Sequence, residues 1–233
     1  ILWHIMKIYA HYGFNDFILA LGYKGDMIKQ YFLNWRNLVD DFTLDTKNGE
    51  LTFHDNNKCD DFKITFAETG QESLTGERVR RLKKYIDGDD FLVTYGDGVG
   101  DINVKELVDF HKRQDTLGTI TGIKFSSRFG LLDIDHENKK LRNFYQHKVT
   151  DFNEVPTDDV GYINGGFMVF KKEVLDLINT DSMIESLFPR LIEKSQLSIY
   201  MHGGKWKCMD THKEAEELNN LWRQEPFWKI WEN

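Results

Sequence analysis

Val93-Thr94-Tyr95-Gly96-Asp97-Gly98-Val99-Gly100-Asp101 is the stretch on which the fold turns. Phe91-Leu92-Val93-Thr94-Tyr95 is a short run of apolar, β-branched and aromatic residues, the mark of a buried strand. It leads straight into glycines that flank an aspartate. In an open α/β sheet, ligands bind beyond the carboxyl ends of the strands. Glycines there let a ligand approach the backbone, and a carboxylate at such a tip can hold Mg²⁺ while the ion bridges phosphate oxygens. The same residues also suit an ordinary turn whose aspartate caps the next helix. The motif alone leaves both readings open.

Outward from this stretch, short apolar strands alternate with helical periodicity. Ile1 to Tyr12 has apolar residues at helical spacing, with Gly13 as a stop. Phe17 to Leu21 is predicted to be a buried strand and Asp26 to Phe32 a helix. Further helices are predicted over Gly76 to Tyr85, Val104 to Lys112, Lys172 to Ile178, Ser186 to Lys194 and Lys213 to Trp222. Further strands are predicted over Thr119 to Phe125, Gly130 to Ile134, Leu141 to Tyr145, Gly166 to Phe170 and Leu197 to His202. Asp40 to Phe66 breaks the alternation, and its Asn48-Gly49 and Asn56-Asn57 turns predict a hairpin-like excursion. The expected fold class is α/β: a Rossmann-like, mostly parallel sheet flanked by helices, with a small β excursion. No linker or repeat divides the chain, so residues 1–233 are expected to form one domain.

Composition narrows the function. Apolar residues make up 40% of the 233 residues, enough for a sizeable core and too many for global disorder. The formal net charge of -8 argues against a nucleic-acid partner, which would call for a basic face. It does not exclude phosphate ligands, which need only a few cations and backbone amides. Cys59 and Cys208 form no CxxC or Cys/His cluster, so zinc is not expected, and two distant thiols fit a reducing, cytoplasmic setting. No apolar run is long enough to span a membrane and no signal peptide is evident, so no membrane association is expected.

A second carboxylate, Asp210, follows the strand predicted at Leu197 to His202 and precedes a helix. Helix capping is again the competing reading. Two aspartates at strand ends chelate one metal only if the fold brings them together.

Tyr95-Gly96-Asp97-Gly98-Val99 resembles the nucleotide and metal motif of the glucose-1-phosphate cytidylyltransferases, within the sugar-phosphate nucleotidyltransferases. Thr69-Gly70, Ser73-Leu74-Thr75-Gly76 and Arg78 are similar to that family's nucleotide-side segment. Arg128-Phe129-Gly130, Ile163-Asn164-Gly165-Gly166-Phe167 and Met209-Asp210-Thr211 resemble later segments in the same order. The opening Ile1 to Lys7 and the closing Pro226 to Trp231 extend the likeness over nearly the whole chain. The resemblance implies that Asp97 and Asp210 hold the metal, Mg²⁺, and are catalytic. It implies that Thr69, Gly70, Ser73, Arg78, Tyr95 and Gly96 lie at the nucleotide, and that Asn164 and Gly165 meet the sugar. Arg128 is expected to support the acceptor pocket or an oligomer contact. The implied reaction takes CTP and a sugar 1-phosphate to a CDP-sugar and pyrophosphate, in a homo-oligomer feeding surface polysaccharide synthesis such as that of lipopolysaccharide. It proceeds by in-line attack without a covalent enzyme intermediate, through positioning and charge neutralisation.

The likeness departs from the family at two places. The family opens with a strand, a glycine-rich loop carrying an arginine and a later Lys-Pro segment, whereas this sequence begins inside a helical pattern; a missing front is the expectation. Where the family has Glu-Lys-Pro, this chain has Gln146-His147-Lys148, expected as acceptor-binding residues. An amide can still bind hydroxyls, but His147 is a pH-dependent cation, and Lys148 takes its place only by a one-residue shift. These departures keep alternatives open: the same fold with another nucleotide or acceptor phosphate, or a non-catalytic nucleotide-binding paralogue. Lys205 and Lys207 and the basic helix Arg78 to Lys84 are expected to be solvated faces, with Arg78 alone functional.

Overall fold

In the computed structural model the described residues are 1–54, 60–124, 131–135, 140–145 and 162–232. Helix α1 (Leu2–His11) buries Ile5, Met6, Ile8 and Tyr9 along one stripe, and the chain leaves it through Gly13 at φ +86°. Strand β1 (Asp16–Leu21) is followed by α2 (Gly25–Leu33) and the short α3 (Trp35–Val39). Strands β2 (Phe42–Asp45) and β3 (Glu50–Phe53) form the expected hairpin, with Gly49 at φ +77° in its turn.

The excursion is shorter than the sequence suggests. Ile64 and Phe66 belong to β4 (Lys63–Glu68), which runs parallel to β1 in unbroken register from Asp16 opposite Lys63 to Leu21 opposite Glu68. Their alternation is that of a core strand, and only the polar residues before it made it look like part of the hairpin.

Next come α4 (Thr75–Arg81), β5 (Asp90–Thr94), the three-residue β6 (Gly98–Gly100) and α5 (Val104–Gln114), which Asn103 caps by accepting from the Glu106 amide. Strand β7 (Gly118–Lys124) leads to the antiparallel pair β8 (Leu131–Asp135) and β9 (Lys140–Tyr145) and then to the long β10 (Tyr162–Lys171). Helix α6 (Phe188–Glu193), β11 (Leu197–His202), β12 (Trp206–Cys208) and α7 (His212–Arg223) complete the described chain. The segments predicted as helices at Lys172 and Ser186 begin in 3₁₀ turns, Lys172–Asp176 and Ile184–Leu187.

The sheet of four is ordered β11-β7-β10-β5 and is mixed. β11 runs parallel to β7, whereas β10 is antiparallel to both β7 and β5. A parallel return needs a long crossover, while the path from β7 to β10 contains the β8-β9 ladder and no helix among the described residues.

Two apolar cores sandwich this layer. Phe167 and Val169 of β10 face the core built with Ile5, Ile8, Leu107, Leu218 and Trp228, while Met168 and Phe170 face the one built with Val79, Leu82, Val174 and Leu191. β1 divides in the same way, Phe17 to the first core and Ile18 to the second, as does β5 with Leu92 against Phe91 and Val93. Alternate residues of both sheets therefore serve the same two cores, so β1-β4 and the four-stranded sheet lie in one layer between helices. The aromatic carboxyl segment packs into the chain's own core: Trp228 is 2% exposed, and with Trp222 and Trp231 it surrounds His4 of α1.

Candidate active site

Asp97 sits between β5 and β6, and Asp210 lies just beyond β12. The element that joins them is a ladder too small to foresee. β6 and β12 pair antiparallel, with Gly98 opposite Cys208 and Gly100 opposite Trp206. One step further, the Met209 amide donates to the Asp97 carbonyl at 2.9 Å. The indole of Trp206 lies over Gly98, where a Cβ would come within 3.3 Å of the ring, so glycine is what lets these strands close.

Neither aspartate caps a helix. Asn103 caps α5, and Thr211 caps α7 in a full capping box with Glu214. Glu214 Oε2 accepts from the amides of Asp210 and Thr211, both at 2.9 Å. The capping reading of both residues is thereby excluded. Burial, and then the negative charge of Asp210, push the Asp97 carboxyl above its ordinary pKa. Like charges converge here, as they do where a divalent cation is to be held. Asp210 is exposed and accepts from the Cys208 thiol at 3.4 Å; burial first, and this carboxylate next, push that thiol up to about 11, so it stays protonated. Cys208, Asp210 and Glu214 bring one potential ligand atom each within 4.8 Å of one another. Glu214 is committed to its cap and the thiol is protonated, so the hard-oxygen donors fit for Mg²⁺ are Asp97 and Asp210.

The nucleotide-side segment is a loop built around Arg78. Its guanidinium donates to Leu21 O, Thr69 Oγ1, Gly70 O and Gln71 O, at 2.8–3.2 Å. Arg81 adds a bond to Thr69 O at 2.7 Å. Thr69 is fully buried and gives its hydroxyl to Leu21 O, so it shapes the loop and exposes nothing of itself. Gly70 is exposed at φ +93°, and Ser73 bonds back to Thr69 O.

The expectation of a solvated basic helix holds only in part: Arg81, Lys83 and Lys84 are exposed, while the Arg78 and Arg80 guanidinium groups are engaged. Arg80 and Arg81 both bind Glu77, which is only 2% exposed, and their three hydrogen bonds hold its carboxyl down to about 2. Helical spacing shows which arginines share a face but not which carbonyls that face meets. Lys207 pairs with Glu217 at 2.9 Å, so it too is engaged.

Two of the residues expected at the acceptor, Asn164 and Gly165, lie on a bulge of β10, where the register shifts between Asn164 and Met168. Asn164 is half-buried; its Oδ1 accepts from the Gly166 amide at 3.0 Å and its Nδ2 lies 3.5 Å from the Tyr95 hydroxyl. Gly166, at φ +78°, lies against the Tyr95 ring, where a Cβ would approach to 2.7 Å. The buried Gly165 gives its carbonyl to the Trp206 indole at 2.9 Å. The bulge is thus tied both to the strand leading into Asp97 and to the strand leading to Asp210. Gly96 is exposed with open space around it. Arg128, Gln146, His147 and Lys148 lie outside the described residues, as do Asn56-Asn57 and Cys59.

Three residues given no role of their own at the sequence level complete the site. Trp206 links β12 to the bulge. Asp101 accepts from His202 Nε2 at 2.8 Å and from the Lys205 amide at 2.7 Å, fixing the loop between β11 and β12. Glu185 accepts from the Tyr95 hydroxyl. Trp206 and Glu185 are single residues in stretches with no local signal, and Asp101 closes the glycine-flanked stretch without any sign of its distant partners.

Residues 4–225 match the family described as nucleotidyl transferase. The chain belongs to the nucleotidyl transferase family. This nucleotidyl transferase is 40% identical over 235 residues to a probable glucose-1-phosphate cytidylyltransferase of Bacillus subtilis, covering 99% of this chain and 87% of that one. It is 37% identical over 236 residues to the glucose-1-phosphate cytidylyltransferase of Salmonella typhi, covering 100% and 88%. In fold it is similar to a putative glucose-1-phosphate thymidylyltransferase of Bacillus anthracis, with a TM-score of 0.64 at 13% identity, covering 96% of this chain and 82% of that one. It is likewise similar to HddC of Yersinia pseudotuberculosis, with a TM-score of 0.61 at 19% identity over 93% and 82%. These likenesses bear out the α/β nucleotidyltransferase fold. Among the described residues no helix is long and apolar enough to cross a membrane.

Proposed function

We propose that this nucleotidyltransferase transfers the cytidylyl group of CTP to glucose 1-phosphate. A phosphate oxygen of the sugar phosphate attacks the α-phosphorus of CTP. The bond from that phosphorus to the oxygen bridging the β-phosphorus breaks, and CDP-glucose and pyrophosphate result. The observation that carries the reading is the meeting of Asp97 and Asp210 across the β6-β12 ladder, in a chain alike over its whole length to cytidylyltransferases.

Asp97 and Asp210 would hold Mg²⁺, which when bound neutralises phosphate charge and holds phosphate oxygens in line. The chain's own residues do the remaining work by position. The Arg78-stapled loop presents the Gly70 and Ser73 backbone for the nucleotide, and the open space at Gly96 leaves room for its phosphates. Asn164 and the Gly165-Gly166 bulge offer an amide and a close backbone for the sugar. Positioning of this kind replaces a bimolecular encounter with an oriented one, and no side chain need form a covalent intermediate.

The test is pyrophosphate release from CTP, UTP, dTTP, ATP and GTP, each with several sugar 1-phosphates, in Mg²⁺ and in EDTA. CTP with glucose 1-phosphate should be the fastest pair and EDTA should abolish it. A preference for another base or sugar would move the enzyme elsewhere in its family; release with no pair at all would leave a nucleotide-binding paralogue.

A further inference from the structure

Residues 182–185 touch both halves of the site. On the nucleotide side, the Ser182 carbonyl accepts from the Glu77 amide at 3.1 Å, and the Ile184 amide donates to Thr75 Oγ1 at 3.0 Å. Gly76 packs so closely on this backbone that a Cβ would lie 2.7 Å from Ser182 O. The next residue, Glu185, accepts a hydrogen bond from the hydroxyl of Tyr95, whose ring packs on the acceptor-side bulge at Gly166. Its other carboxylate oxygen, Oε2, is buried without a hydrogen-bond partner among the described residues.

The hydrogen bonds from the bulge form a chain with one direction. The Gly166 amide donates to Asn164 Oδ1 at 3.0 Å, Asn164 Nδ2 points its N–H to the Tyr95 oxygen in a long 3.5 Å contact, and Tyr95 donates to Glu185. An ionised carboxylate accepts and cannot donate, and a hydrogen bond to it is stronger than one between neutral groups. A carboxylate at the end of the chain therefore fixes every donor before it. The Tyr95 oxygen is left to accept, Asn164 is held in one amide orientation, and its second N–H, which has no partner among the described residues, can turn to a ligand oxygen.

We propose that Glu185 is a positioning residue for the sugar: acting through Tyr95, it sets Asn164 as a hydrogen-bond donor to a ring or hydroxyl oxygen of the acceptor. The inference rests on the cytidylyl-transfer reading and names a residue that reading does not contain. It also separates the two substrates. The bonds of this segment to the nucleotide-side helix are made by backbone atoms, so changing the Glu185 side chain leaves them intact.

The experiment uses the full-length protein with CTP, glucose 1-phosphate and Mg²⁺. Glu185→Leu keeps much of the volume and removes the acceptor oxygen. It is expected to raise the KM for glucose 1-phosphate about tenfold, the scale of one lost charged hydrogen bond, with the CTP KM and melting temperature unchanged. Glu185→Gln, which retains an oxygen for the phenol, should recover most of the loss, and Glu185→Leu added to Tyr95→Phe should cost nothing further. An acceptor KM within twofold of wild type would overturn the proposal. So would a parallel rise in both KM values with a lower melting temperature, which marks a packing role. The side-chain amide resonance of Asn164 in ¹⁵N-labelled protein, identified by its loss in Asn164→Ala, reads the chain without turnover. It must move in Glu185→Leu, and an unmoved resonance sinks the idea even if the wild type proves inactive on every substrate pair, a result that would overturn the cytidylyl-transfer reading instead.

Discussion

The amide of Met209 donates to the carbonyl of Asp97 at 2.9 Å, extending a ladder whose last formal pair is Gly98 with Cys208. That single bond brings the chain on either side of two carboxylates together, although more than a hundred residues separate them in sequence.

The first prediction concerns those carboxylates. Burial and the charge of Asp210 raise the Asp97 pKa, so in metal-free protein its ionisation costs stability as pH rises through the carboxylate range. Asp97→Asn removes that cost. In EDTA at neutral pH the variant should melt no lower than wild type, while its turnover in Mg²⁺ should fall about 10²–10³-fold, the scale of losing one preorganised charge-stabilising group. Mg²⁺ should raise the melting temperature of wild type and not of the variant. Thermal melts with and without Mg²⁺, beside a pyrophosphate assay, decide it; an unchanged turnover would remove Asp97 from the site.

The second concerns the loop under Arg78. Its four hydrogen-bond acceptors lie in a fork that a lysine ammonium cannot span. Arg78→Lys should cost about 1–3 kcal/mol of stability and raise the CTP KM with a smaller effect on the sugar. Gly22→Ala should reproduce it, since a Cβ there would sit 2.4 Å from the Arg78 guanidinium. Urea unfolding and the two KM values are the measurements. A glycine variant that behaves as wild type would show that the guanidinium can move freely.

The third concerns the bulge. Gly166 holds φ +78° with the Tyr95 ring where its side chain would be. Gly166→Ala combines backbone strain with a clash and should destabilise by about 1–3 kcal/mol, with the acceptor KM rising more than the CTP KM. Equal changes in both would mean that the bulge does not belong to the sugar pocket.

The fourth is acid sensitivity in two separate windows. Burial pushes the His4 pKa down to about 4, so the fold holds it neutral. Its contribution is present above the ordinary histidine value of 6.5 and is lost as pH falls from there toward about 4. Glu77 is held down to about 2 by Arg80 and Arg81; its contribution is present above the ordinary 4.5 and is lost below it. Urea midpoints across pH should fall in two stages. His4→Phe should flatten the first and Glu77→Gln the second; a first stage unchanged in His4→Phe would reassign it.

The elements that dominate the layer were legible because their period is local. Phe17 to Leu21 and Val104 to Lys112 carry their strand or helix pattern within a few residues, whereas the capping of α7, which the sequence offers to Asp210, belongs to Thr211 with Glu214, one residue on. Strand β4 was hidden because alternation alone does not say which partner a strand will find. The β6-β12 ladder has three residues on each side, too few for any periodicity, yet it decides whether Asp97 and Asp210 meet. Glu185 and Trp206 reach the site through contacts across the chain, at Tyr95 and Gly165, that no window of neighbouring residues contains. The arginines of α4 looked uniformly solvated because the carbonyls that Arg78 and Arg81 meet, at Leu21 and Thr69, are brought to them only by the fold.

The packing of Trp228 and Trp231 against Ile5, Ile8 and Tyr9 has a consequence for how the protein is made. The first helix cannot find its final neighbours until the segment around Trp231 has left the ribosome. Contacts spanning so much of the chain close late and slowly. Until then α1 can meet Val99, Leu107 and Phe167 but not the indoles that complete its cover. Replacement of Trp228 or Trp231 would accordingly loosen α1 as well as the segment that carries them.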